Sequence, residues 1–328
     1  MSSTSARKKK KAKAAPAPPK PPVEDPEDDD DEEAEDLSDD EDAPALNLGT
    51  EDANELMQVD FGFFDPREAD FHGMRALLSG EQSLLPQGAA WDVGGLAAAL
   101  CEQVAVGSIV KVIAEGSEEP ANDDVLGFMS AVNLHAHRDA RFASQLRASL
   151  TARCADPAAR QKLSALLAEP RTGLLVSARL VNLPAALIPS LVDSVMQDIA
   201  WAVTSADDAA ERDSFRFSHL LLVARVGLRQ GGTAAASSSS SSSMPSDPPA
   251  ASGGGKKRKK AAAAAATREA EFLESLEFER AEEEVLAAAA QWSALLNGTG
   301  RSRQLVMSLT PEAVRAAVPA MHAVMGEA

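Results

Sequence analysis

The chain contains no tyrosine, few aromatic residues of any kind and only two cysteines, Cys101 and Cys154, among 328 residues. Two thiols cannot build a disulfide scaffold or a four-cysteine zinc site, so we expect a reducing compartment. No apolar run reaches about 18 residues, and no apolar stretch follows the basic start of the chain. We therefore expect neither a membrane-spanning helix nor a secretory signal. The length allows one large domain or two small ones.

Sequence signatures of catalysis are missing as well. The chain has no Gly-x-x-x-x-Gly-Lys-Ser/Thr loop, no Gly-x-Ser-x-Gly elbow and no Gly-x-Gly-x-x-Gly fingerprint. His135 and His137 form a His-x-His pair, but no ligand set with convincing metal spacing accompanies them. We expect the two cysteines to be buried thiols, and His72 and His219 to be structural. The sequence thus predicts no catalytic residue, no metal ligand, no cofactor and no enzyme.

Charge is distributed unevenly along the chain, whose formal net charge is -18. Of the 19 residues from Glu24 to Asp42, 15 are Asp or Glu. Outside this tract, the basic residues before Val23 and the run Lys256–Lys260, 35 acidic residues still oppose 20 basic ones. Because binding to phosphate backbones needs a basic footprint, we expect no direct nucleic-acid binding. A basic protein partner fits this charge better, and a surface that only aids solubility is the simpler alternative.

Two segments are too polar to fold alone. Residues 1–55 join a basic run, a proline-rich spacer and the acidic tract, and residues 230–262 are rich in Gly, Ser and Lys. Both compositions predict disorder. The predicted organisation is therefore a tail at 1–55, the first part of an α/β domain at 56–229, an insert at 230–262 and the C-terminal part of the same domain at 263–328.

Short signals within these segments indicate a nuclear protein. Basic clusters on flexible chain are accessible to an import receptor, with a solubilising cluster as the alternative. The candidate nuclear localisation residues are Arg7, Lys8, Lys9, Lys10, Lys11, Lys256, Lys257, Arg258, Lys259 and Lys260. The candidate residues for binding a basic client are Asp28, Asp29, Asp30, Asp31, Glu32 and Glu33. Four acidic residues follow Ser38, which suits phosphorylation by an acidophilic kinase.

Hydrophobic periodicity predicts the folded part. Alternating apolar residues from Met57 to Phe63 predict a half-buried strand, and Asp65 to Glu68 resemble a capping box that opens a helix. Further strands are predicted at 107–114, 124–134, 172–181, 215–228 and 303–309, and helices at 91–104, 138–152, 157–168, 184–203 and after Thr310. Residues 261–296 favour helix, with a short strand near Leu276 left open. The pattern indicates an α/β fold, with a mixed central sheet and helices on both faces.

Several motifs, in order along the chain, resemble the BCCIP family of eukaryotic nuclear proteins. They are Val59–Pro66, Asp70–Leu78, Gly107–Lys111, Asp124–Leu134 and Gly173–Pro184. The resemblance covers essentially the whole chain from about residue 56, and the alanine-rich stretch 284–296 departs from it.

The resemblance implies a nuclear chaperone and transport factor that shields a basic ribosomal protein of the large subunit. It also implies support for nuclear export of a phosphoinositide kinase. The alternative that it implies is a nuclear scaffold in recombination repair and cell-cycle control, with repair proteins as partners.

The family's fold is similar to that of the GNAT acetyltransferases, which bind the coenzyme pyrophosphate on glycine-rich backbone amides after a central strand. The matching segment, Arg179–Ala185, has no glycine, and Pro184 has no amide hydrogen. We therefore expect a GNAT-like fold without acetyl-coenzyme A binding, and a residual acyltransferase is the weakest hypothesis.

Overall fold

The computed structural model describes residues 59–81, 84, 91–206, 208–229, 269–298 and 302–326, which belong to the compact unit Met57–Ala328. The strands are β1 Phe61–Phe64, β2 Ser108–Val112, β3 Gly127–Asn133, β4 Thr172–Arg179, β5 His219–Leu228, β6 Leu276–Phe278, β7 Trp292–Leu296 and β8 Arg303–Leu309. The helices are α1 Phe71–Gly80, α2 Val93–Glu102, α3 Arg141–Arg153, α4 Pro157–Ala168, α5 Leu187–Ser205, α6 Ala209–Ser214, α7 Ala281–Ala289 and α8 Pro311–Met325. The predicted tail 1–55 and insert 230–262 lie outside the described residues.

The strands form one mixed sheet in the order β1-β2-β3-β4-β5-β8-β7, with β6 paired to the end of β5. β4 and β5 pair in parallel over Thr172–Leu174 and His219–Leu221, while the other neighbouring strands are antiparallel. β2, β4 and β5 consequently run in the same direction and finish at one end of the sheet. β1, β6 and β8 begin at that end.

Helices cover both faces of the sheet, as the sequence predicts. One core lies beneath α1 to α4 and includes Leu78, Leu100, Leu146, Leu163, Phe128 and Leu174. The other lies beneath α5, α7 and α8 and includes Val195, Leu286, Val314, Met129 and Leu175. Neighbouring residues of β3 and β4 point into opposite cores, so these strands are apolar throughout rather than alternating.

The first helix starts later than the sequence predicts. Residues Glu68–Asp70 form a 3-10 turn, and α1 begins at Phe71. The predicted capping role of Asp65 with Glu68 is wrong, because the buried Asp70 carboxylate accepts the Arg67 N–H at 2.9 Å instead. The predicted burial pattern of β1 is also only partly right, since Phe63 remains 37% exposed.

The C-terminal part differs most from the prediction. Residues 269–274 are helical, Ser275 is a turn, and β6 begins at Leu276. The choice between helix and strand that the sequence left open at 271–280 is therefore settled as a helix followed by a strand. The helix predicted for Trp292–Leu296 is wrong, because this segment is β7 and pairs with β8 over five residue pairs. Alanine-rich composition favours a helix locally, but the apolar residues of β7 fit both cores of the sheet, and this packing overrides propensity. The helix α6 was not predicted.

A buried ion pair connects β2 to the start of α1. Lys111 Nζ lies 2.6 Å from Asp70 Oδ1, and the two side chains are 3% and 1% exposed. The exposed Asp123 Oδ1 lies 3.8 Å from the same ammonium group. Each buried charge is tolerated because the other is present.

We expect Lys111→Met to lower the free energy of unfolding by about 3–5 kcal/mol, because it leaves Asp70 buried without its cation. Urea denaturation followed by circular dichroism measures this. Asp123→Asn is the matched control: it removes the exposed carboxylate beside the same lysine, and we expect a change below about 1 kcal/mol. Equal effects of the two substitutions would contradict the assignment.

Candidate functional site

The residues that the sequence singles out for nuclear import, client binding and phosphorylation all lie outside the described residues. They fall in segments 1–55 and 230–262. The structure does locate the places where these segments adjoin described chain. Val59 precedes β1, Arg229 follows β5, and Glu269 precedes β6. All three stand at the end of the sheet where β2, β4 and β5 finish.

That end of the sheet carries two acidic segments, which we call together the acidic end. The first is the connection from β2 to β3, residues 113–126, which contains no lysine or arginine. Its exposed acids are Glu115, Glu118, Glu119, Asp123 and Asp124. The second is residues 269–279, whose exposed acids are Glu271, Glu274, Glu277 and Glu279.

Backbone hydrogen bonds fix the first acidic segment to the sheet. The Ile113 N–H donates to the Asp60 carbonyl at 2.9 Å, and the Ala114 N–H donates to the Glu119 carbonyl at 2.9 Å. Gly116 makes the turn between them with a φ of 71°, a conformation that favours glycine. Because the backbone of the loop is held this way, its carboxylates stay in one region of the surface. A fixed concentration of like charge produces a strong local potential.

Basic residues are distributed differently at the two ends of the sheet. Two arginines at this end are engaged locally: Arg225 of β5 with Glu279 at 3.1 Å, and Arg229, just after β5, with Glu284 at 3.6 Å. At the other end of the sheet both signs are exposed together, as in the pairs Arg138–Asp139 and Arg216–Asp213. The nine exposed carboxylates of the two segments outnumber Arg225 and Arg229, so the acidic end keeps a net negative charge.

An exposed apolar turn lies between the two acidic segments. Leu180 is 41% exposed and Val181 is fully exposed. The Leu180 N–H donates to the Leu126 carbonyl at 2.8 Å, which joins the turn to the first segment. On the other side, Arg179 pairs with Glu282, just beyond the second segment. A partner that approaches the carboxylates therefore also meets apolar surface.

Side chains of the protein itself fill the opening between β4 and β5. These strands separate after Leu174 and Leu221, and Arg280 from the turn before α7 enters the gap. Its guanidinium donates to the Ser177 carbonyl at 3.4 Å and pairs with Glu81 and Glu283. Burial raises the pKa of the Glu283 carboxyl to about 8, despite the opposing attraction of Arg280. The cluster is a closed structural element.

Some backbone amides in and just after the segment Arg179–Ala185, which the sequence matches to a coenzyme pyrophosphate site, are used internally. The Leu183 N–H donates to the Leu180 carbonyl at 3.2 Å. The Leu187 and Ile188 N–H groups donate to the carbonyls of Pro184 and Ala185 at 3.2 and 3.0 Å. An anion site at the start of a helix needs such donors free.

Other chemistry-bearing residues show no catalytic arrangement in the described part of the chain. Within those residues, no cluster of three or more His, Cys, Asp or Glu could hold a metal ion. Cys101 and Cys154 are buried free thiols, as predicted, and burial raises the pKa of Cys101 to about 11. None of the described helices is both long and apolar enough to span a membrane.

Comparison with known proteins identifies the family. The family model described as BCCIP matches residues 56–286. The chain belongs to the BCCIP family. The match ends in the alanine-rich stretch where the sequence departs from the family motifs, shortly before the unpredicted strand β7.

Relatives of known name agree with this assignment. The protein BCCIP homolog of Arabidopsis thaliana is 34% identical over 178 residues, which cover 54% of this chain and 52% of that protein. Protein bcp1 of Aspergillus oryzae is 31% identical over 174 residues, 52% of this chain and 55% of that protein. The matched part spans about half the length of these relatives. The crystal structure of BCP1 from Saccharomyces cerevisiae has a TM-score of 0.52 at 15% identity, over 83% of this chain and 92% of that one, and shows the same fold.

We expect Glu283→Gln to flatten the pH dependence of stability. An unfolded glutamate titrates near 4.5 and the folded Glu283 near 8, so the folded state binds more protons between these values. The free energy of unfolding of the wild type should therefore fall as the pH rises through this window, and that of the variant should fall by less. The measurement is the free energy of unfolding in urea at about pH 5 and about pH 8. Glu284→Gln, the exposed neighbour, should follow the wild type. Parallel pH profiles for wild type and Glu283→Gln would contradict the raised pKa.

Proposed function

We propose that this chain is a nuclear chaperone and assembly factor for a basic ribosomal protein of the large subunit, and that the client binds at the acidic end. The observation that carries the proposal is the concentration of exposed carboxylates in residues 113–126 and 269–279. Family membership supports the proposal. The net charge of -18 also supports it, because a protein that binds the phosphate backbone of a nucleic acid needs a basic surface.

The physical requirement comes from the client. A basic protein destined for ribosomal RNA aggregates, or binds any RNA it meets, unless its charge is screened. A negative surface attracts it over a range of about 10 Å at about 0.1 M salt and competes with RNA for its lysines and arginines. The acidic tract Glu24–Asp42 precedes β1 along the chain and adds a second polyanion. The basic clusters would recruit an import receptor, and a phosphoinositide kinase is a further candidate for export.

We expect the dominant partner to be one basic large-subunit ribosomal protein. The experiment is affinity purification of the full-length chain from nuclease-treated nuclear extract, followed by mass spectrometry. The double substitution Glu118→Lys and Glu119→Lys should reduce the amount of this partner that is recovered, because it reverses two charges at the acidic end. Asp139→Lys with Asp213→Lys makes the same charge change at the opposite end and should leave recovery unchanged. Recovery of repair or cell-cycle proteins with no basic ribosomal protein would favour the scaffold alternative instead.

Salt dependence separates electrostatic capture from apolar binding. We expect the reversal at Glu118 and Glu119 to weaken client binding about tenfold at about 0.1 M salt, and by less at about 0.5 M salt, where surface charges are screened. Fluorescence anisotropy with purified client measures both. A loss that is independent of salt would show that the acidic end acts through shape rather than charge.

We propose that the protein is not an enzyme. The Leu183, Leu187 and Ile188 amides, in and just after the matching segment, already donate to carbonyls of the protein itself. The buried Glu283 is enclosed by Arg280 and its neighbours. Isothermal titration calorimetry with acetyl-coenzyme A should therefore show no saturable binding at micromolar concentrations. Saturable binding in that range would contradict the proposal.

A further inference from the structure

Among the described residues, the first strand of the sheet has one side without a partner strand. β1 pairs with β2, and no other described strand pairs with it. The hydrogen bond from the Ile113 N–H to the Asp60 carbonyl joins two directly opposed residues. Because such pairs alternate along an antiparallel ladder, Gly62 and Phe64 also bond to β2. The N–H and C=O groups of Phe61 and Phe63 therefore point away from the sheet.

Apolar side chains accompany these outward backbone groups. Phe61 and Phe63 lie on the same face of the strand, and Phe61 packs against the core beneath α5. Phe63 is 37% exposed, and Val59, two residues before Phe61, is 39% exposed. A strand added to this edge would find both backbone partners and apolar contacts for alternate side chains.

Two common protections of a sheet edge, charged side chains and proline, are absent from β1. Its four residues, Phe-Gly-Phe-Phe, include no charged residue and no proline. The opposite edge of the sheet is covered in part. Cys154 forms a β-bridge with Leu296 of β7, and the Asn297 N–H donates to the Arg153 carbonyl at 2.8 Å.

Charge indicates which kind of strand would be accepted. Asp60, at the start of β1, is exposed and is hydrogen-bonded to the first acidic segment through Ile113. That segment presents Glu118 and Glu119 beside the same end of the strand. Basic side chains on an added strand would be favoured here and acidic ones repelled.

We propose that β1 accepts an extended basic segment of a partner polypeptide as an additional strand of the sheet. Alternate apolar residues of that segment contact Val59 and Phe63, and its basic residues lie against the acidic end. Strand addition at β1 does not depend on the proposed function. Only the identity of the partner, the basic client, rests on it. The acidic end attracts that client, and β1 fixes one of its segments in register.

The direct probe is a fluorescently labelled peptide of about eight residues in which lysine alternates with valine. We expect saturable binding to the full-length chain and slower hydrogen exchange at the amides of Phe61 and Phe63. N-methylation of alternate peptide amides on the bonding edge should weaken binding at least about tenfold, because a methylated nitrogen donates no hydrogen bond. Replacement of every lysine by glutamate should abolish binding. Equal binding of the methylated peptide would overturn the proposal.

Two substitutions at Phe63 test the edge, so that a folding defect in one variant does not decide the result. Phe63→Pro removes an outward N–H and leaves the hydrogen bonds to β2 intact, and Phe63→Lys places a repelling charge there. Each should weaken binding of the lysine–valine peptide about tenfold. Val324→Lys, at an exposed apolar position on α8, is the matched control and should bind like the wild type. Wild-type affinity in both Phe63 variants would overturn the proposal.

Other occupants of the edge give distinct results. A wild-type dimer that Phe63→Pro converts to a monomer would show that a second copy fills the edge. Slow exchange at Phe61 and Phe63 without peptide, in a monomer that does not bind the peptide, would show that the chain covers its own edge. Either result overturns the proposal.

If the Phe63 variants still recover the basic ribosomal protein as well as wild type, the proposed function survives and this inference fails. If the peptide binds as a strand but no ribosomal protein is recovered, only the proposed function fails.

Discussion

The parallel pairing of β4 with β5 over only three residue pairs constrains the rest of the fold. Beyond Leu174 and Leu221 the strands separate, and the opening must be filled without leaving polar backbone groups unsatisfied. The chain does this with β6, which pairs with the end of β5, and with Arg280, whose charge requires the nearby glutamates. The same turn brings residues 269–279 to the end of the sheet. The opening between β4 and β5 is thus filled, and the segment at its rim is acidic.

The function that we propose follows from the segregation of charge by topology. Because β2, β4 and β5 finish together, the loop after β2 and the segment before β6 present their carboxylates at one end. The buried Lys111 stabilises this arrangement, since it links the start of α1 to β2 and lies near the loop residue Asp123. Long-range attraction at the acidic end and the outer edge of β1 at its margin would act in sequence on one basic client: capture, then alignment.

Much of the fold could be predicted from the sequence, because apolar strands bracketed by amphipathic helices leave few alternatives. The failures have local physical causes. Trp292–Leu296 is a strand because it fits both cores of the sheet, which helix propensity does not report. The cap at Asp70 depends on Lys111, a residue distant in sequence. The overall acidity of the chain was evident, but its concentration at one end depends on strand order. The predicted signals at Arg7–Lys11, Ser38 and Lys256–Lys260 lie outside the described residues and stay predictions.

The most direct test of the account is zero-length carbodiimide cross-linking of the full-length chain to its purified basic client, with mass spectrometry of the joined peptides. The reagent couples carboxylates to lysines that already touch, so it reports where the client sits. The account predicts that, within the folded part of the chain, the cross-links concentrate on Glu115–Asp124 and Glu271–Glu279 and disappear at high salt. Cross-links concentrated instead on Asp139 and Asp213, at the opposite end of the sheet, would contradict it.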